Sequence, residues 1–322
     1  MFETDRGIDI RRSVTSARNL LFVALASVGA ILAVLSVAAS PGASGKIVFQ
    51  SVVDGASEIY VMGADGSNPT QLTFGLARGT HPAWSPDGKR IVFSDQDGGN
   101  ENSEIFVMEA DGTNQTQLTD NSVFDGHPRW SPDGRKIRFV SGRRGEGGIF
   151  VMDADGGNRI KLSSVEGRHA AWSPNGKKIA FHVQRQGIFV MDADGTNQIQ
   201  LTRHPTLTRT DRSPAWSPDG RKIVFISDFV GDDLEGEDLE VWVMDADGSN
   251  QTQLTDNLVR EGHTGWSPDG KKIIFDRERE RGGREFEIFV MDPDGTNQTQ
   301  LTFNLPPDWA GQPDWHPATF AN

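Results

Sequence analysis

Three residues ahead of each of six tryptophans stand His81, His127, His169, Ser213, His263 and Gln312. The tryptophans are Trp84, Trp130, Trp172, Trp216, Trp266 and Trp315, so this column recurs at steps of 42 to 50 residues. Four of its six members are imidazoles. Neutral imidazoles that converge can ligate a divalent transition metal, which makes His81, His127, His169 and His263 the metal candidates. Imidazole, hydroxyl and carboxamide groups together can also hydrogen-bond a polar ligand. The plainer alternative is that each histidine bonds a neighbouring loop backbone, and no metal or other cofactor is then required. Either chemistry depends on whether the fold brings the column together.

The elements that would do so repeat along the chain. Each tryptophan opens a stretch such as "WSPDGKR" (Trp84 to Arg90), repeated at Trp130, Trp172, Trp216 and Trp266, and the copy at Trp315 breaks off as "WHPA". "SPDG" suits a tight turn, with proline presetting φ and glycine accepting a positive φ. The strand "KRIVFS" follows, then "EIFVM" with its Val-Met pair, the turn "DGTN" and the short strand "QTQLT". Four strands in a period of about 40–50 residues are the signature of a β-propeller blade. The tryptophans and the Val-Met pairs therefore read as packing between blades.

The phase of the repeat explains the broken copy. The first unit, "GKIVFQ" (Gly45 to Gln50), lacks an innermost strand, and the last, "QPDWHP" (Gln312 to Pro317), is an innermost strand without followers. Joined, they make one blade. The expectation is an all-β, six-bladed propeller of four-stranded blades over residues 45–318, closed by pairing of its N- and C-terminal strands so that no sheet edge is left at the seam.

Connection lengths divide into two kinds. Tryptophan to the phenylalanine of the second strand is constant (84 to 93 through 266 to 275), as is methionine to the leucine of the fourth strand (62 to 72 through 291 to 301). The connections between the second and third strands, and between blades, vary. In an up-and-down blade the constant turns share one face of the disc and the variable loops the other. Loops on a rigid scaffold are where binding residues collect, so the variable face, with the column at the channel mouth, is the expected working face.

Composition limits the function. The net charge is -13 and pI about 5.0, which argues against a nucleic-acid partner. There is no cysteine, hence no thiolate metal site or Cys nucleophile. No G-x-S-x-G is present, which excludes an α/β-hydrolase nucleophile elbow. The "DADGTN" turns lack EF-hand spacing and read as hairpins. The acidic loop "SDFVGDDLEGEDLE" (Ser227 to Glu240) reads as a solvated segment, with a cation or a basic partner as the alternative. "DRERERGGRE" (Asp276 to Glu285) reads as a soluble hairpin.

The N-terminal part is of another kind. Residues 1–19 form a basic region with Arg11, Arg12 and Arg18, expected on the cytoplasmic side. Residues 20–39, "LLFVALASVGAILAVLSVAA", carry no charge and are long enough to cross a bilayer as a helix, either as an anchor or as a cleaved signal segment. Residues 40–44 are a short linker. The propeller is then expected outside the cytoplasm, anchored or released into a periplasmic or extracellular space, with membrane contact through residues 20–39 alone.

"HPAWSPDGKRIVFS" followed by "EIFVMEADGTNQTQLT" resembles the repeat of TolB-like six-bladed propellers. The resemblance spans about residues 45–318. It implies a periplasmic protein that binds an envelope partner, although the α/β domain that precedes the propeller in that family has no counterpart between residue 39 and the first strand. The histidine and glutamine column is also similar in composition to the metal ring of propeller-shaped oligogalacturonate lyases. Two expectations follow. One is a non-catalytic, monomeric binding or scaffold protein for an envelope protein or cell-wall polymer. The other is a metal-dependent polysaccharide lyase or hydrolase.

Overall fold

A computed structural model describes residues 45–317, apart from 77, 97–101, 144–146, 164–166, 204–210, 229–238 and 305–307. The expected apolar helix at 20–39 and most of the acidic loop at 227–240 lie outside the described residues. Among the described residues no helix is long and apolar enough to cross a membrane.

Twenty-four strands form six four-stranded antiparallel sheets. With strands lettered a to d from the innermost outward, blade 1 is Trp309–Trp315, Lys46–Val53, Ala56–Gly63 and Thr70–Gln71, so its strand a comes from the far end of the chain. Blades 2 to 6 have strands a at Gly79–Trp84, Phe124–Trp130, Gly167–Trp172, Asp211–Trp216 and Glu261–Trp266. Closure is as expected: Ile47 pairs with Trp315, Val48 with Asp314 and Val52 with Trp309.

The core follows from the repeat. Strand b is buried along most of its length, as in KIVFIS at Lys222–Ser227, because a blade is covered on both faces. Trp84, Ile91 and Met108 of blade 2 pack with Val61 and Leu72 of blade 1, and Trp130, Ile137 and Met152 of blade 3 with Val107 of blade 2. Each tryptophan thus belongs to the seam between two blades.

The "SPDG" turn owes its recurrence to its own hydrogen bonds. Ser85 Oγ donates to Asp87 Oδ1 (2.6 Å), which also accepts Lys89 N–H (3.1 Å), and Ser85 Oγ accepts Arg90 N–H (2.9 Å). The serine hydroxyl holds the Asp87 carboxyl below its ordinary pKa. The "DADG" turns are satisfied in the same local way: Asp245 accepts Asn250 Nδ2 and Lys222 Nζ, and Asp292 accepts Asn297 Nδ2 and Lys272 Nζ. The hairpin reading needs no ion.

Both constant turns also lock neighbouring blades. A Cβ at Gly66 would stand 2.7 Å from the carbonyl oxygen of Leu301, at Gly248 2.8 Å from that of Leu201 and at Gly156 2.9 Å from that of Leu118, each in the adjacent blade. A Cβ at Gly134, Gly176, Gly220 or Gly270 would lie 3.7 to 3.9 Å from Cδ of the proline in the equivalent turn of the preceding blade. Both constant turns thus pack against the neighbouring blade.

Candidate functional site

Strands a of neighbouring blades contact one another around the central channel. The tryptophan-minus-three column lies on them, and four imidazoles meet there. Ring centroids are 3.8 Å apart for His81 and His127, 4.4 Å for His127 and His169, 5.1 Å for His169 and His263, and 5.5 Å for His263 and His81. One ring nitrogen from each of His81, His127 and His169 falls in a group whose members all lie within 4.8 Å of one another.

The spacing predicts this column at the channel mouth, at the top end of strand a. In the structure His81 is the third of six residues in strand a, Gly79–Trp84. It also occupies a β-bulge. Thr80 pairs with Ser94 and Ala83 with Val92, so the register shifts between them, and the same shift recurs in blades 3, 4 and 5. At the bulge His81, His127, His169, Ser213 and Gln312 have φ between 45° and 54°, the left-handed region. Residues with a Cβ are uncommon there, and such conformations persist where the surroundings over-determine them. The bulge re-aims the side chain. In blade 6 Thr264 already pairs with Phe275, and His263 is outside the left-handed region.

The other two members of the column are tied to backbone. Gln312 Oε1 accepts the N–H of His81 at 2.6 Å, and the Ser213 carbonyl accepts Thr264 Oγ1 at 2.8 Å. The column thus supplies four converging rings and two residues that help to hold the bulges.

Burial pulls His81 and His169 well below the ordinary imidazole pKa, and for both the neighbouring His127 and His263 add to the effect. Arg129 and Arg138 press His81 further in the same direction. The four histidines are half-buried. Nδ1 of His81 and of His169 are buried without a hydrogen-bond partner among the described residues.

A second layer stands behind the ring. Asp276 Oδ2 is 3.0 Å from His263 Nδ1, Asp276 Oδ1 accepts the His263 N–H at 2.9 Å, and Oδ2 accepts the Gln312 N–H at 2.8 Å. Glycine at 311 leaves room for it, since a Cβ there would lie 2.9 Å from Oδ2. The soluble-hairpin reading of 276–285 is therefore corrected at its start: Asp276 is only 3% exposed and belongs to strand b, Ile273–Glu278. In blade 4 the equivalent position is His182, whose ring stacks on His169 at 5.3 Å. Below the ring, fully buried Arg138 donates Nη1 to the His127 carbonyl at 2.9 Å and Nη2 to the Ala170 carbonyl, bridging two strands a.

None of these second-layer residues belongs to the column singled out from the sequence. Their signal is departure from the repeat. The residue after the strand-b phenylalanine runs Gln50, Ser94, Val140, His182, Ile226, Asp276, and the residue before it is aliphatic except at Arg138.

The variable face carries a different feature. Phe74, Leu258 and Phe303 are 77%, 70% and 62% exposed, and each lies in a loop joining strand d of one blade to strand a of the next. Those loops are consecutive around the ring: blade 5 to 6, 6 to 1 and 1 to 2.

Comparison with known proteins agrees with this architecture. Residues 99–180 match the TolB beta propeller domain family. The chain is similar to TolB from Acinetobacter baumannii (TM-score 0.71, 21% identity, 86% of this chain and 67% of that one). It is similar to a putative TolB from Agrobacterium tumefaciens (TM-score 0.64, 20% identity, 85% of this chain and 100% of that one). An oligogalacturonate lyase in complex with manganese also shares the fold (TM-score 0.56, 16% identity, 80% of this chain and 73% of that one). No curated protein matches the chain in sequence.

Proposed function

We propose that this TolB-like propeller is a non-catalytic binding module working outside the cytoplasmic membrane, exported by residues 20–39. It docks an envelope protein or cell-wall polymer on the face formed by its variable loops. The observation that carries this reading is the run of Phe74, Leu258 and Phe303 on three consecutive blade-to-blade loops. Large apolar side chains left in water cost solubility, and interface hot spots are enriched in aromatic anchors. On the opposite face the constant turns pack against the neighbouring blade. The acidic net charge fits a partner other than nucleic acid.

The test is capture from an envelope extract by the tagged full chain, compared with a Phe74→Ser, Leu258→Ser, Phe303→Ser variant. Exposed side chains contribute little to folding, so the variant should melt like the wild type while its capture falls at least tenfold. Equal capture by both proteins contradicts the reading.

A second reading draws on the four imidazoles: a metal-dependent polysaccharide lyase or hydrolase, of which the manganese-containing lyase fold is an example. It requires turnover of an acidic polysaccharide that stops on chelation and in a His127→Ala variant. Capture without turnover supports the binding module alone.

A further inference from the structure

We infer that the channel holds a structural transition-metal centre, ligated by one ring nitrogen each of His81, His127 and His169 and by Nε2 of His263, with Asp276 as the positioning residue for the fourth ligand. The inference does not rest on the docking face, which lies on other residues.

Three observations meet at this point. The ligand atoms of the first three histidines already lie within 4.8 Å of one another. A tetrahedral ion with bonds of about 2.1 Å needs nitrogen separations of about 3.4 Å, so the rings must draw closer on binding. The fourth ring, His263, reaches both His81 and His169, at centroid distances of 5.5 and 5.1 Å. Its Nδ1–H is directed at Asp276, which leaves Nε2 as the free lone pair and makes the ring a better donor. That is the carboxylate–histidine arrangement found behind metal ligands.

Without an ion the arrangement is hard to account for. Buried polar atoms normally have partners, yet Nδ1 of both His81 and His169 lacks one within the described protein. An all-imidazole set selects the borderline metals (Zn, Ni, Cu, Co) over Ca or Mg, which take oxygen ligands. Asp276, the carboxylate beside His263, is engaged by that ring and two backbone amides.

The experiment uses the full chain in detergent, stripped with a chelator and titrated with Zn²⁺, then with Co²⁺ and with Mg²⁺ as a control. The expected result is one Zn²⁺ per chain, a Co²⁺ form with the intense visible bands of a tetrahedral site, and no Mg²⁺ binding. Asp276→Asn should weaken Zn²⁺ binding about 10–100-fold, and Ser213→Ala, on the same column, should leave it unchanged. His81→Ala combined with His127→Ala should abolish it. If that double variant does not fold, the single His127→Gln variant, nearly isosteric, carries the same expectation of at least 100-fold loss. No stoichiometric Zn²⁺ in the wild type, or equal affinity in the histidine variants, overturns the inference.

Discussion

His263 Nδ1 lies 3.0 Å from Asp276 Oδ2, and the same carboxylate receives the backbone N–H groups of His263 and Gln312. One side chain of blade 6 thus fixes an imidazole in the channel and the bulge in strand a of the neighbouring blade 1.

Removal of that carboxylate should be costly. Asp276→Ala leaves two half-buried amides without this acceptor, and a fully buried loss of that kind is worth about 1–3 kcal/mol. Urea denaturation should show a loss of at least about 2 kcal/mol, with partial recovery in Asp276→Asn, whose carboxamide oxygen can still accept. Wild-type stability in the alanine variant would mean that the amides find other acceptors.

Closure depends on the last strand. Deleting residues 306–322 removes strand a of blade 1 and exposes the edge of Lys46–Val53. The melting temperature should fall sharply, and Trp315→Ala alone should cost about 3 kcal/mol, the scale of aromatic-to-alanine core losses. Transplanting residues 306–317 to precede Lys46 should restore the melt, since the sheet does not depend on which end supplies the strand. An unchanged melt on truncation contradicts the six-blade closure.

Turn glycines should be sensitive according to what stands opposite. Gly66, in a constant turn, has φ +82° and a Cβ there would lie 2.7 Å from the Leu301 carbonyl oxygen, whereas Gly282, in a variable connection, has φ +74° with nothing within 4 Å of such a Cβ. Gly66→Ala pays both strain and collision and should lose at least about 3 kcal/mol, while Gly282→Ala should lose about 1 kcal/mol from backbone strain. Chemical denaturation of the two variants checks the ratio, and equal losses would show that the blade-to-blade contact is soft. Gly88, at φ +67° against the His316 ring, should behave like Gly66 when replaced by valine.

This contrast marks how far the sequence could be read. The blades, their number and the seam at Trp315 are visible because identical turns and pairs recur at fixed offsets, and repetition averages out ambiguity. The histidine column is visible for the same reason. Its backbone is not: a bulge changes register without changing the pattern of side chains, so nothing in "THPAW" announces a left-handed His81. Asp276 and Arg138 were hidden because they break the repeat, and a charged residue in a strand reads as solvent-facing until its partners are known. The exposed Phe74 and Phe303 follow a "QLT" strand end, where the repeat alone gives no reason to place them in water.

The seam between blades 5 and 6 should respond to pH. Glu240 sits beside Glu261, with Asn257 Nδ2 donating to both and Arg277 bonded to Glu261 Oε1 at 2.6 Å; Thr255 hydrogen-bonds Glu261 as well. Burial first, and the Glu261 charge second, push Glu240 up to about 7. A carboxyl raised on folding binds more protons in the native state between its ordinary value and about 7. Its contribution to stability is therefore full below about 4.5 and is lost as pH rises through about 7. Glu240→Gln keeps a neutral side chain at all pH values. Denaturation free energies should match the wild type near pH 5 and exceed it near pH 8. Parallel curves for the two proteins would place the proton elsewhere.

Hydrogen exchange of the propeller, with and without a partner captured from the envelope, tests the docking face most directly. The loops between strands d and a, around Phe74, Leu258 and Phe303, should gain protection on binding, while the "SPDG" turns at 85–88, 131–134 and 217–220 should exchange as before. Protection confined to those turns, with the loops unchanged, would contradict a partner held by the variable face.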